Sequence, residues 1–278
     1  MTYHIADHPG LVSVVIPAFN EAERVDRCLA ETVSSLDALG CRYEIVLVDD
    51  GSKDGTADRA RAAASELPRV RVIGSEVHLG KGSALIRGSK AALGDLVLFV
   101  DADLEVHPAQ LELLYDRLLS DDADVVIGSK LHRDASIDYP RSRRVLSRGY
   151  YVLVHMLFGL PVHDTQTGLK LYRQKVLQRV TPRLVVKRFA HDLEALVSAH
   201  RLGYRITEAP VTVTRERAYP RIGLRDVLGV ARDTAAIWYR TFVTRYYDRA
   251  GVEIDRLVSE SSSLDFVEVE RLATHEHA

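Results

Sequence analysis

Short apolar runs alternate with helical periodicity through the first half of the chain. Leu11–Ile16, Glu44–Val48, Val70–Ile73, Leu96–Val100 and Asp124–Ile127 are rich in Val, Ile and Leu and read as strands. Between them, Glu21–Leu39, Gly55–Leu67, Lys81–Leu93 and Pro108–Leu119 carry apolar residues at three- and four-residue spacing. Near-continuous apolar strands are covered on both faces, and helices do the covering. Pro108 suits a first helical turn, and Gly40 and Gly94 suit helix ends. The alternation predicts an α/β fold with a mostly parallel, doubly wound sheet. The second half is less regular. It predicts a helix over Arg143–Phe158, a strand near Gly168–Tyr172, a helix over Phe189–Leu202, a strand at Tyr204–Val213 and a long helix over Leu224–Tyr247. Beyond about Asp255 the chain turns polar, and a mobile tail is expected. The expected organisation is a catalytic-type domain over residues 1–215, an amphipathic membrane-interface or packing helix over 216–250, and a disordered tail over 251–278.

One strand ends in a way that suggests chemistry. The run Asp95-Leu-Val-Leu-Phe-Val-Asp-Ala-Asp103 is apolar until it meets Asp101 and Asp103. In open α/β sheets the ligand crevice lies beyond the carboxyl ends of the strands. Two acids spaced this way suit a hard divalent cation bridging to phosphate oxygens; the competing reading is an acidic loop facing water. Composition narrows the field. Hydrophobic residues make up 46% of 278, enough for a sizeable core, and a net charge of -2 gives no basic field to recruit nucleic acid. Cys28 and Cys41 lack zinc-type spacing and fit a reducing compartment. Met1–Gly10 shows no basic region followed by an apolar core, so no secretory signal is expected. No run reaches the roughly 18–20 apolar residues needed to span a bilayer.

Other loops at strand ends are also polar. Pro17-Ala-Phe-Asn-Glu21 follows the first strand, and Asp49-Asp-Gly-Ser-Lys-Asp-Gly-Thr56 follows the second. Asp54 or Thr56 would serve as a helix N-cap, whereas the adjacent Asp49 and Asp50 repel each other unless something binds them. Gly80-Lys-Gly82 opens a helix, placing Lys81 and a helix N-terminus where a phosphate would bind. Two nucleotide motifs are excluded. Ser75 stands where a Walker loop needs its first glycine, and no glycine occurs between Gly10 and Gly40 for a dinucleotide fingerprint.

Taken in order, Val14-Val-Ile-Pro-Ala-Phe-Asn-Glu21, Val48-Asp-Asp-Gly-Ser52, Asp54-Gly-Thr56 and Asp101-Ala-Asp103 resemble the family 2 glycosyltransferases of GT-A fold. Ile127-Gly-Ser-Lys130, Arg143-Arg-Val-Leu-Ser147, Asp164-Thr-Gln-Thr-Gly-Leu-Lys170 and Phe189-Ala-His-Asp-Leu-Glu194 are similar to the polyprenyl-phosphate sugar transferases. Asp164-Thr-Gln-Thr-Gly168 looks more like the dolichyl-phosphate β-glucosyltransferases than the mannosyltransferases. The resemblance implies that Pro17, Phe19, Glu21 and Asp50 surround the base and ribose of a nucleotide sugar. It implies that Asp101 and Asp103 hold Mg²⁺ or Mn²⁺ against the diphosphate. Glu105 falls where close relatives often carry Gln as a further metal ligand, and Lys130 replaces a more usual Arg.

The acceptor side follows from charge and chemistry. A hydroxyl acceptor needs a general base, whereas a phosphate monoester, with a second pKa of about 6, is already largely dianionic at neutral pH. For the latter the protein must supply positive charge, and Lys130, Arg133, Arg141, Arg143, Arg144 and Arg148 crowd one stretch. Arg143 and Ser147 share a helical face at i, i+4 and suit one phosphate; a solvated basic face is the bland alternative. Asp192 is the base candidate if the acceptor is a hydroxyl, or else it positions the sugar or bonds a neighbouring loop. Gln166 contacts the donor or stabilises its own loop. His78, His163 and His191 are expected to be structural. In the last helix Leu224, Val227, Leu228, Ala231, Ala235, Trp238 and Phe242 form a stripe for a bilayer interface or for the protein's own core.

The sequence thus predicts metal-dependent, inverting transfer of a hexose, glucose from UDP-glucose being favoured, to a polyprenyl phosphate at the cytosolic membrane face. The alternatives are a GDP-mannose donor, a soluble transferase acting on a hydroxyl through Asp192, and a nucleotide-sugar-binding protein without turnover.

Overall fold

The structure is a computed structural model and describes residues 2–135, 141–186, 190–213 and 224–248, with all their side chains except those of 141–147 and 224–227. Seven strands form one sheet: β1 (Val12–Ala18), β2 (Tyr43–Asp49), β3 (Val70–Gly74), β4 (Leu96–Phe99), β5 (Val125–Ser129), β6 (Lys170–Arg173) and β7 (Ile206–Pro210). Their spatial order is β3-β2-β1-β4-β6-β5-β7. All neighbours pair in parallel except β6, which runs antiparallel to both β4 and β5. The chain steps outward from β1 through β2 to β3, then returns to the other side of β1 with β4. That reversal opens a crevice beyond the carboxyl ends of β1 and β4.

The helices are α1 (Val25–Leu39), α2 (Thr56–Ser65), α3 (Lys81–Ala91), α4 (Leu111–Ser120), α5 (Arg141–Phe158), α6 (Gln174–Val180), α7 (His191–Arg201) and α8 (Leu224–Trp238). Period-two alternation in the strands sorts the core into two layers. Val14, Ile16, Ile45 and Leu47 face Leu29, Leu36, Leu111 and Leu114 of α1 and α4. Val15, Val46 and Val48 face Ala84 and Leu85 of α3, in the layer that also holds Leu193 and Leu196 of α7. Each buried Val, Leu or Ile side chain among them contributes about 1.5–3 kcal/mol. Gly88 lets α3 sit directly on the sheet, because a Cβ there would fall 2.2 Å from Val15 Cγ1.

The expected elements are present, with informative differences. The first helix begins at Val25, four residues later than its periodicity suggests, because residues 21–24 form a turn tied to the loop after β2. A short helix, α6, follows β6 directly and was not foreseen. The last helix ends its regular α turns at Trp238 and continues as a π-turn over Tyr239–Val243. Its apolar stripe faces outward: Leu228, Ala231, Ala235, Trp238 and Phe242 are exposed, while Thr234, Ile237 and Thr241 pack inward. Among the described residues, no helix is long and apolar enough to cross a membrane. The expected domain boundary at 215 and the polar tail lie outside the described residues.

Candidate active site

The loop after β1 and the loop after β2 are laced together, and the lacing shapes one wall of the crevice. Asn20, at φ 54, donates its backbone N–H to Ser52 Oγ (2.9 Å). Glu21 N–H donates to Thr56 Oγ1 (2.9 Å), and Ala22 N–H to Asp54 Oδ2 (3.1 Å). Asp54 and Thr56 therefore staple two loops; the residue at the N-cap of α2 is Gly55, which gives no side-chain cap. Asp50, 2% exposed, accepts the N–H groups of Leu79 (3.1 Å) and Gly80 (2.7 Å), and His78 Nδ1 stands 2.9 Å from it. Asp50 is thus held by backbone donors, whereas Asp49 takes only the Ser52 N–H on Oδ2 (3.2 Å) and leaves its buried Oδ1 without a hydrogen bond. The His78 ring stacks on Phe19 with centroids 3.8 Å apart. Sequence reasoning set His78 aside as structural, yet its ring lines the crevice.

Seven of the residues expected to handle the donor converge. Pro17, Phe19, Glu21, Asp50, Lys81, Asp101 and Asp103 all line one crevice of about 810 Å³. That volume lies within the range of small-ligand sites. Lys81 opens α3 and its Nζ lies 2.6 Å from Asp101 Oδ1. Burial works against its charge, but the carboxylates of Asp101, Asp192 and Asp103 outweigh it and hold the ammonium above its ordinary range. Asp103 is also raised: burial, then the charge of Asp101, lifts its carboxyl above the usual value and favours its neutral form. Gly168 packs directly against the pair, since a Cβ there would fall 2.1 Å from Asp101 Oδ2.

A hard divalent cation fits this donor set. Two carboxylates of like charge, one of them raised by the other, gain from a cation between them, and both offer oxygen donors. Among the described residues no three acidic, His or Cys side chains converge on a point. A Mg²⁺-type ion is commonly held by one or two carboxylates together with substrate phosphates and water. Glu105, expected as a third ligand, is instead paired with Lys130 Nζ.

The acceptor-side residues are less tightly gathered. Lys130 donates its backbone N–H to Asp164 Oδ2 (3.1 Å), and its ammonium is taken by Glu105. Gln166 is exposed, with Nε2 3.4 Å from Thr165 Oγ1, and does not line the crevice. The side chains of Arg143 and Ser147 lie outside the described residues. Asp192, 6% exposed, is bound by Lys170 Nζ at 2.6 Å. Lys170 is the functional residue the motifs do not single out. Its signal was a lysine inside the apolar run Leu169-Lys-Leu-Tyr172, which demands a buried partner.

Residues 13–181 match the family described as Glycosyl transferase family 2. The chain belongs to this family. It is 33% identical over 235 residues to glycosyltransferase AglD of Haloferax volcanii, covering 84% of this chain and 38% of that protein. It is 34% identical over 209 residues to dolichyl-phosphate beta-glucosyltransferase ALG5A of Trichomonas vaginalis, covering 72% of this chain and 64% of that protein. A Dictyostelium discoideum dolichyl-phosphate beta-glucosyltransferase is 30% identical, with 82% of this chain and 74% of that protein covered. This family 2 glycosyltransferase thus spans 38% and 64% of the length of the first two relatives. Its fold is that of glucosyl-3-phosphoglycerate synthase from Mycobacterium tuberculosis, solved with Mn²⁺, UDP-glucose and phosphoglyceric acid. The TM-score is 0.64 at 23% identity, over 86% of this chain and 84% of the other. The GT-A architecture expected from the sequence is therefore the one observed.

Proposed function

We propose that this chain transfers a hexose, glucose from UDP-glucose in the favoured case, to a polyprenyl phosphate at the cytosolic face of a membrane, with inversion. One observation carries the reading: Asp101, Asp103 and Lys81 meet at the switch point of the sheet, in the same crevice as Phe19, Glu21 and Asp50. Carboxylates for a cation and an ammonium for a phosphate, side by side, suit a nucleoside diphosphate. Asp101 and Asp103 would hold Mg²⁺ or Mn²⁺, whose chemistry is to neutralise charge on the departing diphosphate. Lys81 faces the same charge from the N-terminus of α3. Phe19 and Glu21 would meet base and ribose, and Asp50 holds the loop of Leu79 and Gly80 in this wall. The glucose donor and lipid acceptor are supported by relatives named as dolichyl-phosphate beta-glucosyltransferases. Contact with a bilayer is supported by the outward stripe of α8, where Trp238 and Phe242 lie beside exposed Tyr239 and Val243. Val152, Leu153 and Met156 of α5 add further exposed apolar surface.

The test offers radiolabelled UDP-glucose and GDP-mannose with polyprenyl phosphate in vesicles, followed by organic extraction. Metal-dependent label from UDP-glucose in the organic phase is expected. Label that stays aqueous, or appears undiminished in excess chelator, overturns the reading.

A further inference from the structure

Glu194 of α7 is 0% exposed, and its two carboxylate oxygens serve different parts of the molecule. Oε2 accepts the backbone N–H groups of Val185 (2.9 Å) and Val186 (2.7 Å), in the loop before α7. Oε1 accepts Arg240 Nη2 (3.0 Å) and the Tyr247 hydroxyl (2.6 Å), both from the segment after α8. Burial, then the charge of Glu194, pushes the Tyr247 phenol up, so it stays a donor. A buried carboxylate that loses a partner is costly, so neither side can let go without disturbing the other. The contacts run on in both directions. The Val186 carbonyl accepts from His191 Nδ1 (3.2 Å). His191 packs hard on the first turn of α3, since a Cβ on Gly82 would fall 2.6 Å from its own Cβ. Lys81, beside Gly82, reaches Asp101 in the crevice. At the other end, Arg240 belongs to the π-turn, which Thr244 N–H closes on the Tyr239 carbonyl (3.1 Å). Such turns often mark functional sites. Returning this one to regular α geometry would rotate the chain beyond it by about 100°, enough to carry Tyr247 off Glu194.

We propose that Glu194 is a positioning residue that joins the donor crevice to the outward-facing π-turn, so that seating on a bilayer and binding of the nucleotide sugar reinforce each other. This rests on the transferase reading and goes beyond it: the bilayer becomes an effector of the donor site, besides being where the acceptor lies. The outer face of the turn suits a bilayer interface. Trp238, Tyr239, Phe242 and Val243 are all exposed there, and exposed Arg245 follows two residues on. Aromatic rings settle at head-group level, and a basic side chain meets anionic lipid. Lipid that holds these residues out together stabilises the π register. Arg240 and Tyr247 then stay on Glu194, and Glu194 keeps Val185 and Val186 in place. Val186 and His191 in turn fix the first turn of α3, where Lys81 faces the diphosphate. Coupling of this kind is reciprocal: the factor that lipid adds to nucleotide affinity, nucleotide adds to lipid affinity.

The experiment measures UDP-glucose binding with Mn²⁺ to the full chain, with and without acceptor-free phosphatidylcholine–phosphatidylglycerol vesicles. Flotation on the same vesicles is measured with and without UDP-glucose. Wild type should bind UDP-glucose about fivefold or more tighter on vesicles, and vesicles tighter by the same factor with UDP-glucose. Amide exchange at Val185 and Val186 should slow by a like factor when vesicles are added. Arg240→Gln should lose these gains while binding UDP-glucose as vesicle-free wild type does. An affinity unmoved by vesicles that carry the protein overturns the proposal, as does a gain that survives in Arg240→Gln. Failure to bind the vesicles overturns it too. Should Arg240→Gln fail to fold, Tyr247→Phe takes its place: it removes one donor from Oε1 and should shrink the factor, and an undiminished factor overturns the proposal. Amide exchange needs no nucleotide and decides the matter if UDP-glucose is not the donor. Transfer assayed in parallel keeps the two readings apart. No transfer to any acceptor, with the coupling present, sinks the transferase reading and leaves the coupling standing; transfer without the coupling does the reverse.

Discussion

In the donor half of the crevice, residues 12–103, several of the polar side chains are held by backbone. Asp50 takes the N–H groups of Leu79 and Gly80, and Asp54 takes those of Ala22 and Thr56. Outside the crevice lining, on the side the proposal gives to the acceptor, side chains hold one another as well: Lys130 on Glu105, Lys170 on Asp192, and His163 on Glu208. Backbone donors cannot leave, so the first arrangement is a rigid mould. A part-exposed ion pair can exchange partners, so Lys130 can be released from Glu105 to an incoming anion, whereas the buried Lys170–Asp192 pair is fixed. Lys81–Asp101 sits at the seam and shares both characters: a helix terminus fixes the lysine, and a carboxylate occupies its ammonium.

The sharpest way to break this comparison is to remove an acid at the seam. Asp103→Ala should lower kcat about 10²–10³-fold with saturating divalent metal, as lost transition-state stabilisation of this kind does; retention of activity would remove the cation from the account. Gly168→Ala comes next. Its new methyl must displace the Asp101 carboxylate, and a misplacement near 1 Å costs about 10²-fold in rate. Paired Trp238→Asp and Phe242→Asp changes should weaken flotation with anionic vesicles about tenfold or more, given the apolar area withdrawn from the bilayer. Unchanged flotation would leave the acceptor half without its surface. Asp50→Asn removes one of two charge-assisted bonds in the mould and should cost about 1.5–3 kcal/mol in unfolding free energy. The smallest effect is pH-dependent and belongs to the amino-terminal ends of β1 and β2, away from the crevice. Burial raises the Glu44 carboxyl, but Ser13 Oγ, Leu93 N–H and Arg71 outweigh it and lower its pKa. Its contribution is therefore complete above the unfolded carboxylate value of about 4.3 and is lost as pH falls through the lower folded value. Urea midpoints of wild type and Glu44→Gln should converge in that acid range and separate above it.

Much of the donor site was legible from the residues. Asp101 and Asp103 are readable from a strand end and Lys81 from a helix start, Phe19, Glu21 and Asp50 follow from the family resemblance, and all six line the crevice. Strand-end position is a local property, readable from where an apolar run stops. The acceptor side was less legible. Glu105 was assigned to a metal and lies on Lys130, and Asp192 was weighed as a base without notice of Lys170. The run around Lys170 looked like any buried strand, and four residues are too few to show which way they pair. His78 was set aside because nothing in sequence brings it onto Phe19, 59 positions earlier, in the crevice wall.

What the sequence determined by itself was the alternation of buried strands and covering helices, and with it the line of acids and turns at the strand ends. Those features depend on residues within a few positions of one another, because periodicity and strand termination are local. Only the tertiary structure decided which charge meets which. Lys170 finds Asp192 across 22 positions and Lys130 finds Glu105 across 25. The antiparallel entry of β6 brings Lys170 beside the end of β4. A buried charge must have a partner, but the chain does not name that partner until its strands have chosen their neighbours.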